Sequence, residues 1–230
     1  MFSGFPEETI RFFLDLRYHN DLTWFHSHRE EYEQYVRAPF KAFIEEMVPV
    51  MSEIAPDIEM RPVRCLARIN RDIRFTRDKS PYRDHLWILF RRAGEERQGS
   101  AMYWFELSPA NVIWGLGFWD ATRETMDCLR DWMTYQPEKV LSAFRESRIP
   151  GEPFELVGDR YKRMAIPETV PETLRPLYPS KDIGVIRQGL SLKDAYSPDL
   201  AQKVGEDYLR LKPLYTLFRE AADSGRTEKR

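Results

Sequence analysis

Cysteine is scarce. Cys65 and Cys128 are the two in 230 residues, far apart and in no Cys-x-x-Cys spacing, which excludes a local thiolate metal cluster or redox pair. Two small buried thiols in a reducing compartment are the expectation. Histidine is nearly as rare. His26 and His28 project about 200° apart on a helix of 3.6 residues per turn, and His19 and His85 lack a ligand-spaced partner, so no metal is expected. No apolar run approaches the roughly 18 residues of a spanning helix. The first residues, Met1 to Glu8, have neither a basic start nor a long apolar stretch, unlike a signal peptide. A soluble, cytoplasmic protein without a membrane partner is therefore expected. The chain also lacks a Gly-x-x-x-x-Gly-Lys loop, a Gly-x-Gly-x-x-Gly fingerprint and a Gly-x-Ser-x-Gly elbow. No cofactor is expected.

Apolar residues, in contrast, are plentiful. At 42% hydrophobic and 13% aromatic the chain has ample material for a core. Pro6-Glu7-Glu8 suits the first turn of a helix carrying Ile10, Phe13 and Leu14. Asn20-Asp21 suits the cap of a second helix, with Trp24, Phe25, His28, Tyr32 and Tyr35 down one face. Pro39 opens a third, whose stripe is Phe40, Phe43, Ile44, Met47, Val48, Met51 and Ile54. At Arg61 the period changes to 2: Val63, Cys65, Ala67 and Ile69 alternate with Arg64, Leu66, Arg68 and Asn70, which predicts a strand.

Further strands are predicted over His85–Arg92, Met102–Leu107 and Val112–Phe118, and a fifth over Ile183–Leu190. Helices are predicted over Glu124–Tyr135, Pro137–Arg145 and from Pro198 onward, the last split near Pro213. The proline-dense 150–179 stretch predicts loops with at most a helical turn. Short links between strands predict an antiparallel meander of four to five strands with helices packed mainly on one face. The expected fold is one α+β domain over residues 1–223, followed by a polar, disordered tail, 224–230.

Charge is spread unevenly over a chain of net −2. Between Arg61 and Arg97 there are eleven basic and five acidic residues, while the rest of the molecule holds 24 basic and 32 acidic. An acidic remainder argues against coating nucleic acid or membrane with the whole surface.

Several segments carry a resemblance to a known family. They are Gly4-Phe5-Pro6, Asn20-Asp21-Leu22-Thr23-Trp24-Phe25 with Tyr32, and Arg37-Ala38-Pro39-Phe40. To these add Arg68-Ile69-Asn70-Arg71-Asp72-Ile73-Arg74-Phe75, Asp78-Lys79-Ser80-Pro81-Tyr82-Arg83 and Gly115-Leu116-Gly117-Phe118-Trp119. The chain resembles, up to about Ser147, the bacterial domain-of-unknown-function family 2461. Asp21 stands where that family usually has a second asparagine, and Arg83 where it has lysine. The Tyr161–Glu168 stretch leads on without the family's Asp-His-Pro histidine. The resemblance implies a shared fold and a shared site, and carries no activity.

The basic stretch admits two readings. Its arginines and aspartates can pair with each other and hold a loop, with a role, if any, in meeting an acidic partner protein. Alternatively, Arg64, Arg68, Arg71, Arg74, Lys79 and Arg83 outnumber Asp72, Asp78 and Asp84, and the surplus meets an external anion. On that reading the 68–83 loop builds a pocket for a phosphorylated or carboxylated small molecule, with Trp24, Tyr82, Trp104 and Trp114 as aromatic walls. Should the pocket do chemistry, Asp72 or Asp78 is the candidate base and Lys79 or Tyr82 the candidate acid. Phe75, Tyr82 and Trp87 among the basic residues also fit single-stranded nucleic acid, which the acidic remainder disfavours. Nothing in the sequence sets an oligomeric state.

Overall fold

Proline sets the N-terminal architecture. Pro6 precedes helix α1, Glu7–Tyr18, whose first turn carries Glu7 and Glu8 against the free amides. Asp21 caps α2, Leu22–Ser27, by accepting from the Trp24 amide at 2.9 Å. The next helix does not run on as the aromatic spacing predicts. A single turn, α3 (Arg29–Glu31), passes into a π-helical turn, Tyr32–Arg37, before α4 (Ala38–Glu46) and α5 (Val48–Ile54). Pro39 supplies the reason. It has no amide for the Tyr35 carbonyl one turn back, and the buried Thr9 hydroxyl donates to that carbonyl instead, at 2.5 Å. A widened turn where the ladder is broken is the expected response.

The computed structural model describes residues 1–227. The strand predicted over Val63–Ile69 is instead a short helix, α6 (Pro62–Cys65), followed by extended chain. Pro62 starts that turn, the amides of Arg64 and Cys65 return to the Arg61 carbonyl, and the Cys65 thiol donates to the Glu59 carbonyl at 2.9 Å. Beyond it the chain still touches the sheet, through Ala67 N to Trp87 O at 2.9 Å and isolated bridges Leu66–Ile88 and Asn70–Tyr82. Of the predicted inward face, Cys65 and Ile69 are buried, while Val63 is exposed and Ala67 half-buried, and there is no continuous ladder.

The strands are β1 (Leu86–Phe90), β2 (Ala101–Leu107), β3 (Val112–Phe118), β4 (Phe154–Val157) and β5 (Gly184–Arg187), ordered β1-β2-β3-β5-β4. The fold is α+β. It departs from a plain meander because β5 inserts between β3 and β4, antiparallel to both. Strand β4, in the stretch predicted to be loops, is four residues long and too short to show a period. Gly117 lies opposite Gly184, where a Cβ on Gly117 would stand 3.1 Å from the Gly184 Cα; close backbone approach explains that glycine.

The remaining helices are α7 (Arg123–Tyr135), α8 (Pro137–Glu146), α9 (Leu192–Ala195), α10 (Leu200–Arg210) and α11 (Lys212–Thr227). Pro213 separates the last two, as its missing amide requires. Helix α11 continues through Ser224 to Thr227 with Gly225 buried, so the tail predicted from residue 224 is helical there. Residues 228–230 of that predicted tail lie outside the described residues.

By compactness the chain divides into two units. One comprises Met1–Phe90, Trp104–Trp114 and Gly189–Glu206. Its core is aromatic: Phe43 and Phe105 lie 4.6 Å apart between ring centres, Phe5 and Phe40 4.8 Å, and Phe105 stacks on Trp114. Gly4 enters this core at φ +94°, where a side chain would strike the Tyr196 carbonyl, so only glycine fits. The other unit comprises Arg91–Tyr103, Gly115–Gln188 and the chain from Asp207. There α7, α8 and α11 pack together, and Tyr103 sits against Tyr208 and Tyr215 with its hydroxyl on the Tyr208 carbonyl.

Candidate functional site

Two concave sites flank the Asn70–Tyr82 bridge, and Tyr82 lines both. Asn20 fixes that tyrosine from a distance, its amide nitrogen donating to the Tyr82 carbonyl and its oxygen accepting the Tyr82 amide, each at 3.0 Å. The Tyr82 ring stacks on Phe25 at 4.0 Å.

The larger cleft, about 430 Å³, is formed between the α2–α4 region and the chain from α6 to Asn70. Helical residues Arg29, Tyr32, Arg37 and Lys41 line one side. The π-helical turn is what brings them together, since it breaks the 3.6 period between Arg29 and Lys41. Pro62, Val63, Leu66, Ala67 and Arg68 line the other. Arg37 is taken up by Glu33, which accepts from one guanidinium nitrogen through both oxygens at 2.8 and 2.9 Å. The side chains of Arg29, Lys41 and Arg68 have no hydrogen bond or ion pair among the described residues.

Two phenols face the same space. Tyr32 is 8% exposed and Tyr82 3%, and neither hydroxyl has a partner among the described residues. Burial pushes the Tyr32 phenol up to about 12, with Arg37 opposing it. Burial also raises Tyr82, against the pull of Arg29. Both are therefore neutral donors at physiological pH.

The second cleft, about 390 Å³, gathers four of the residues expected from sequence, Arg71, Asp78, Tyr82 and Arg83, joined by Arg17 and His85. Its cations are tied. Arg71 pairs with Asp78. Arg17 Nε donates to Asp84 at 2.6 Å, and His85 Nδ1 lies 3.0 Å from the other Asp84 oxygen. Burial raises the Asp84 carboxyl, and its bonds to His85 and Arg17 outweigh this and leave it below its ordinary value. Arg83 donates to the Asn70 carbonyl and, at 2.7 Å, to that of Arg68, with its guanidinium over the Trp87 ring.

The loop between them holds itself. Arg74 grips Asp72 through Nε and Nη2 at 2.9 and 2.7 Å, and those bonds hold the Asp72 carboxyl down to about 2. Arg71, then Ser80, hold Asp78 well below the usual range. A base working near neutral pH needs a higher pKa, so neither aspartate is tuned for that role. Lys79 donates to the Ile73 carbonyl at 2.8 Å, and Phe75 stands 89% exposed under Arg74.

Of the residues chosen from sequence, Arg68 and Tyr82 line the larger cleft; Arg74, Lys79, Asp72, Arg64 and Trp24 line neither. Arg64 is exposed, its charge helping to hold Glu59 low. Trp24 is stacked between His28 at 4.0 Å and His19 at 5.8 Å. Trp114 is fully buried in the core and is no pocket wall. Arg29, Lys41 and the Tyr32 phenol were not chosen; Arg29 is masked in sequence by Glu30 and Glu31, which read as a solvated face.

Residues 8–217 match the family described as Conserved hypothetical protein (DUF2461). The chain belongs to this family. No curated protein matches it. The DUF2461 match spans both clefts and the loop between them. Among the described residues of this DUF2461 chain, no group of three or more His, Cys, Asp or Glu is placed to hold a metal ion, and neither cysteine is in a disulfide. No described helix is long and apolar enough to cross a membrane.

Proposed function

We propose that the larger cleft binds an anionic small molecule, phosphorylated or carboxylated. One observation carries the reading: Arg29, Lys41 and Arg68 share a concave site without an internal carboxylate for any of them. Arg29 and Arg68 are exposed and Lys41 half-buried, so water solvates them in the free protein, and what favours an anion is their convergence on one concave site. The guanidiniums of Arg29 and Arg68 suit the oxygens of phosphate or carboxylate, and Lys41 adds a point charge. The phenols of Tyr32 and Tyr82 add neutral donors beside them. This moves the ligand from the 68–83 loop itself to the cleft at its N-terminal limb, with Arg68 common to both.

The test is a thermal-shift titration with phosphate, sulfate and acetate against chloride at matched ionic strength. A saturable rise in Tm with phosphate or a carboxylate, absent with chloride, is the expected result. No response to any of the three anions removes the proposal.

A further inference from the structure

The cleft is not uniformly polar, and its apolar side narrows the ligand. Resting on the anion-binding reading, we infer that the ligand is a phosphomonoester carried on an apolar body, aryl or short alkyl.

The head group follows from counting donors. Arg29, Arg37, Lys41 and Arg68 set against Glu33 leave the cleft with a charge of +3. Three cationic side chains and two phenols in it have no partner among the described residues. A carboxylate brings two oxygens and one negative charge. A phosphomonoester brings three terminal oxygens and a charge near −2 at neutral pH, about −1.5 to −2, which suits this donor set better.

The body follows from α6 and the chain after it. Cys65 of that segment is turned into the core, while Pro62, Val63, Leu66, Ala67 and the buried Ile69 line the cleft. Val63 is 77% exposed. A lone exposed valine is ordinary; several apolar residues in one short segment, facing Arg29 and Lys41 with Arg68 at the segment's own end, give the cleft an apolar and a basic side. An inorganic ion has no use for that surface, whereas an aryl or alkyl group leaves water against it. Soluble phosphomonoesters and a phosphatidate headgroup share this chemistry.

The experiment is isothermal titration of the full chain with inorganic phosphate, phenyl phosphate and benzoate, with sedimentation on phosphatidylcholine vesicles with and without phosphatidic acid. Phenyl phosphate is expected to bind on the order of tenfold tighter than inorganic phosphate, the worth of a partly buried ring, and tighter than benzoate. Val63→Ser, at an exposed position that folding does not need, is expected to remove about half of that advantage on the free-energy scale, roughly threefold in Kd. It should leave inorganic phosphate unchanged. Retention on phosphatidic acid vesicles, without binding of phenyl phosphate, assigns the same chemistry to a lipid surface. Equal affinities for phosphate and phenyl phosphate, with no vesicle retention, overturn the inference and leave anion binding standing. Tighter binding of benzoate than of phenyl phosphate overturns the phosphoryl assignment. No binding of any probe brings down both.

Discussion

The two clefts that share Tyr82 have similar volumes, about 430 and 390 Å³, and opposite electrostatic states. In the smaller, Arg17 and Arg71 each have an aspartate, and Arg83 has backbone carbonyls. In the larger, Arg37 has its glutamate, and the side chains of Arg29, Lys41 and Arg68 have no partner among the described residues. The difference lies in which carboxylates the fold brings in. Asp78 reaches Arg71 within one loop, and Asp84 reaches Arg17 from 67 residues away. Arg29, Lys41 and Arg68 come from separate elements, and Glu33 in their cleft is taken up by Arg37. A dense run of arginines thus marks a self-sufficient loop, and sparser ones gathered by the fold are the cations on which the proposed anion site rests.

The sharpest way to break that contrast is charge reversal in the larger cleft. Arg68→Glu is expected to weaken phosphate binding by about a hundredfold, since one charge-assisted bond is lost, at about 1.5–3 kcal/mol, and a repulsion is added. Titration calorimetry with inorganic phosphate reads it. Affinity unchanged within threefold places the anion elsewhere.

Smaller effects are expected from the phenols. Tyr32→Phe and Tyr82→Phe each remove a neutral donor, about 0.5–1.5 kcal/mol, or roughly two- to tenfold in phosphate affinity. Because neither hydroxyl has an internal partner among the described residues, urea midpoints without ligand should not fall. A drop in stability without a change in affinity would assign these hydroxyls to the fold.

The apolar wall is anchored by Glu59, and its anchor has a pH signature. Glu59 is buried and accepts from the Arg61 amide at 3.0 Å and from Arg61 Nε and Nη2 at 2.8 and 2.5 Å. The Arg61 bonds, outweighing burial, hold its carboxyl down to about 2. A pKa lowered on folding stabilises above the unfolded value, near 4.3, and that stability is lost as pH falls toward about 2. Because Arg61 is largely exposed, solvent screening leaves the pair a small contribution. Glu59→Gln is therefore expected to lower the urea midpoint modestly at pH 7, with the gap closing between pH 4 and 2. Urea denaturation across that range checks it, and a gap that persists at pH 2 would mean lost packing.

How far the sequence foretold this depended on the range of the interactions. Helix starts at Pro6 and Asp21 and strands β1 to β3 are set by local chemistry and were legible. Arg61–Asn70 misled because its alternation holds in burial only at Cys65 and Ile69, while Pro62 and the Glu59–Arg61 contact turn the backbone into α6. Strand β4 was too short to show a period. The cleft was half visible: Arg68 and Tyr82 stand in a motif, but Arg29 and Lys41 are brought beside them by a π-helical turn. That turn follows from Pro39 together with Thr9, thirty residues apart. No periodicity expresses such a pairing. The clamp of Asn20 on Tyr82 is invisible for the same reason.

The smallest expected effect tests the other half of the comparison. Arg71→Ala and Lys79→Ala remove the residues that the basic run makes most conspicuous, yet phosphate affinity should stay within about twofold of the unaltered chain. Arg71 spends its charge on Asp78, and Lys79 donates to a backbone carbonyl in an exposed loop. Exposed pairs of this kind contribute little to stability, so the urea midpoint should move no further than the scatter between replicates. The long reach of charge sets the residual: losing one positive group near the cleft weakens anion binding slightly, and that loss should vanish in about 0.5 M salt, where screening is complete within a few ångströms. A tenfold loss that survives such salt would mean that Arg71 touches the anion directly. The Asp78 pair would then be a resting state that the ligand displaces, and the smaller cleft, not the larger, would be the site.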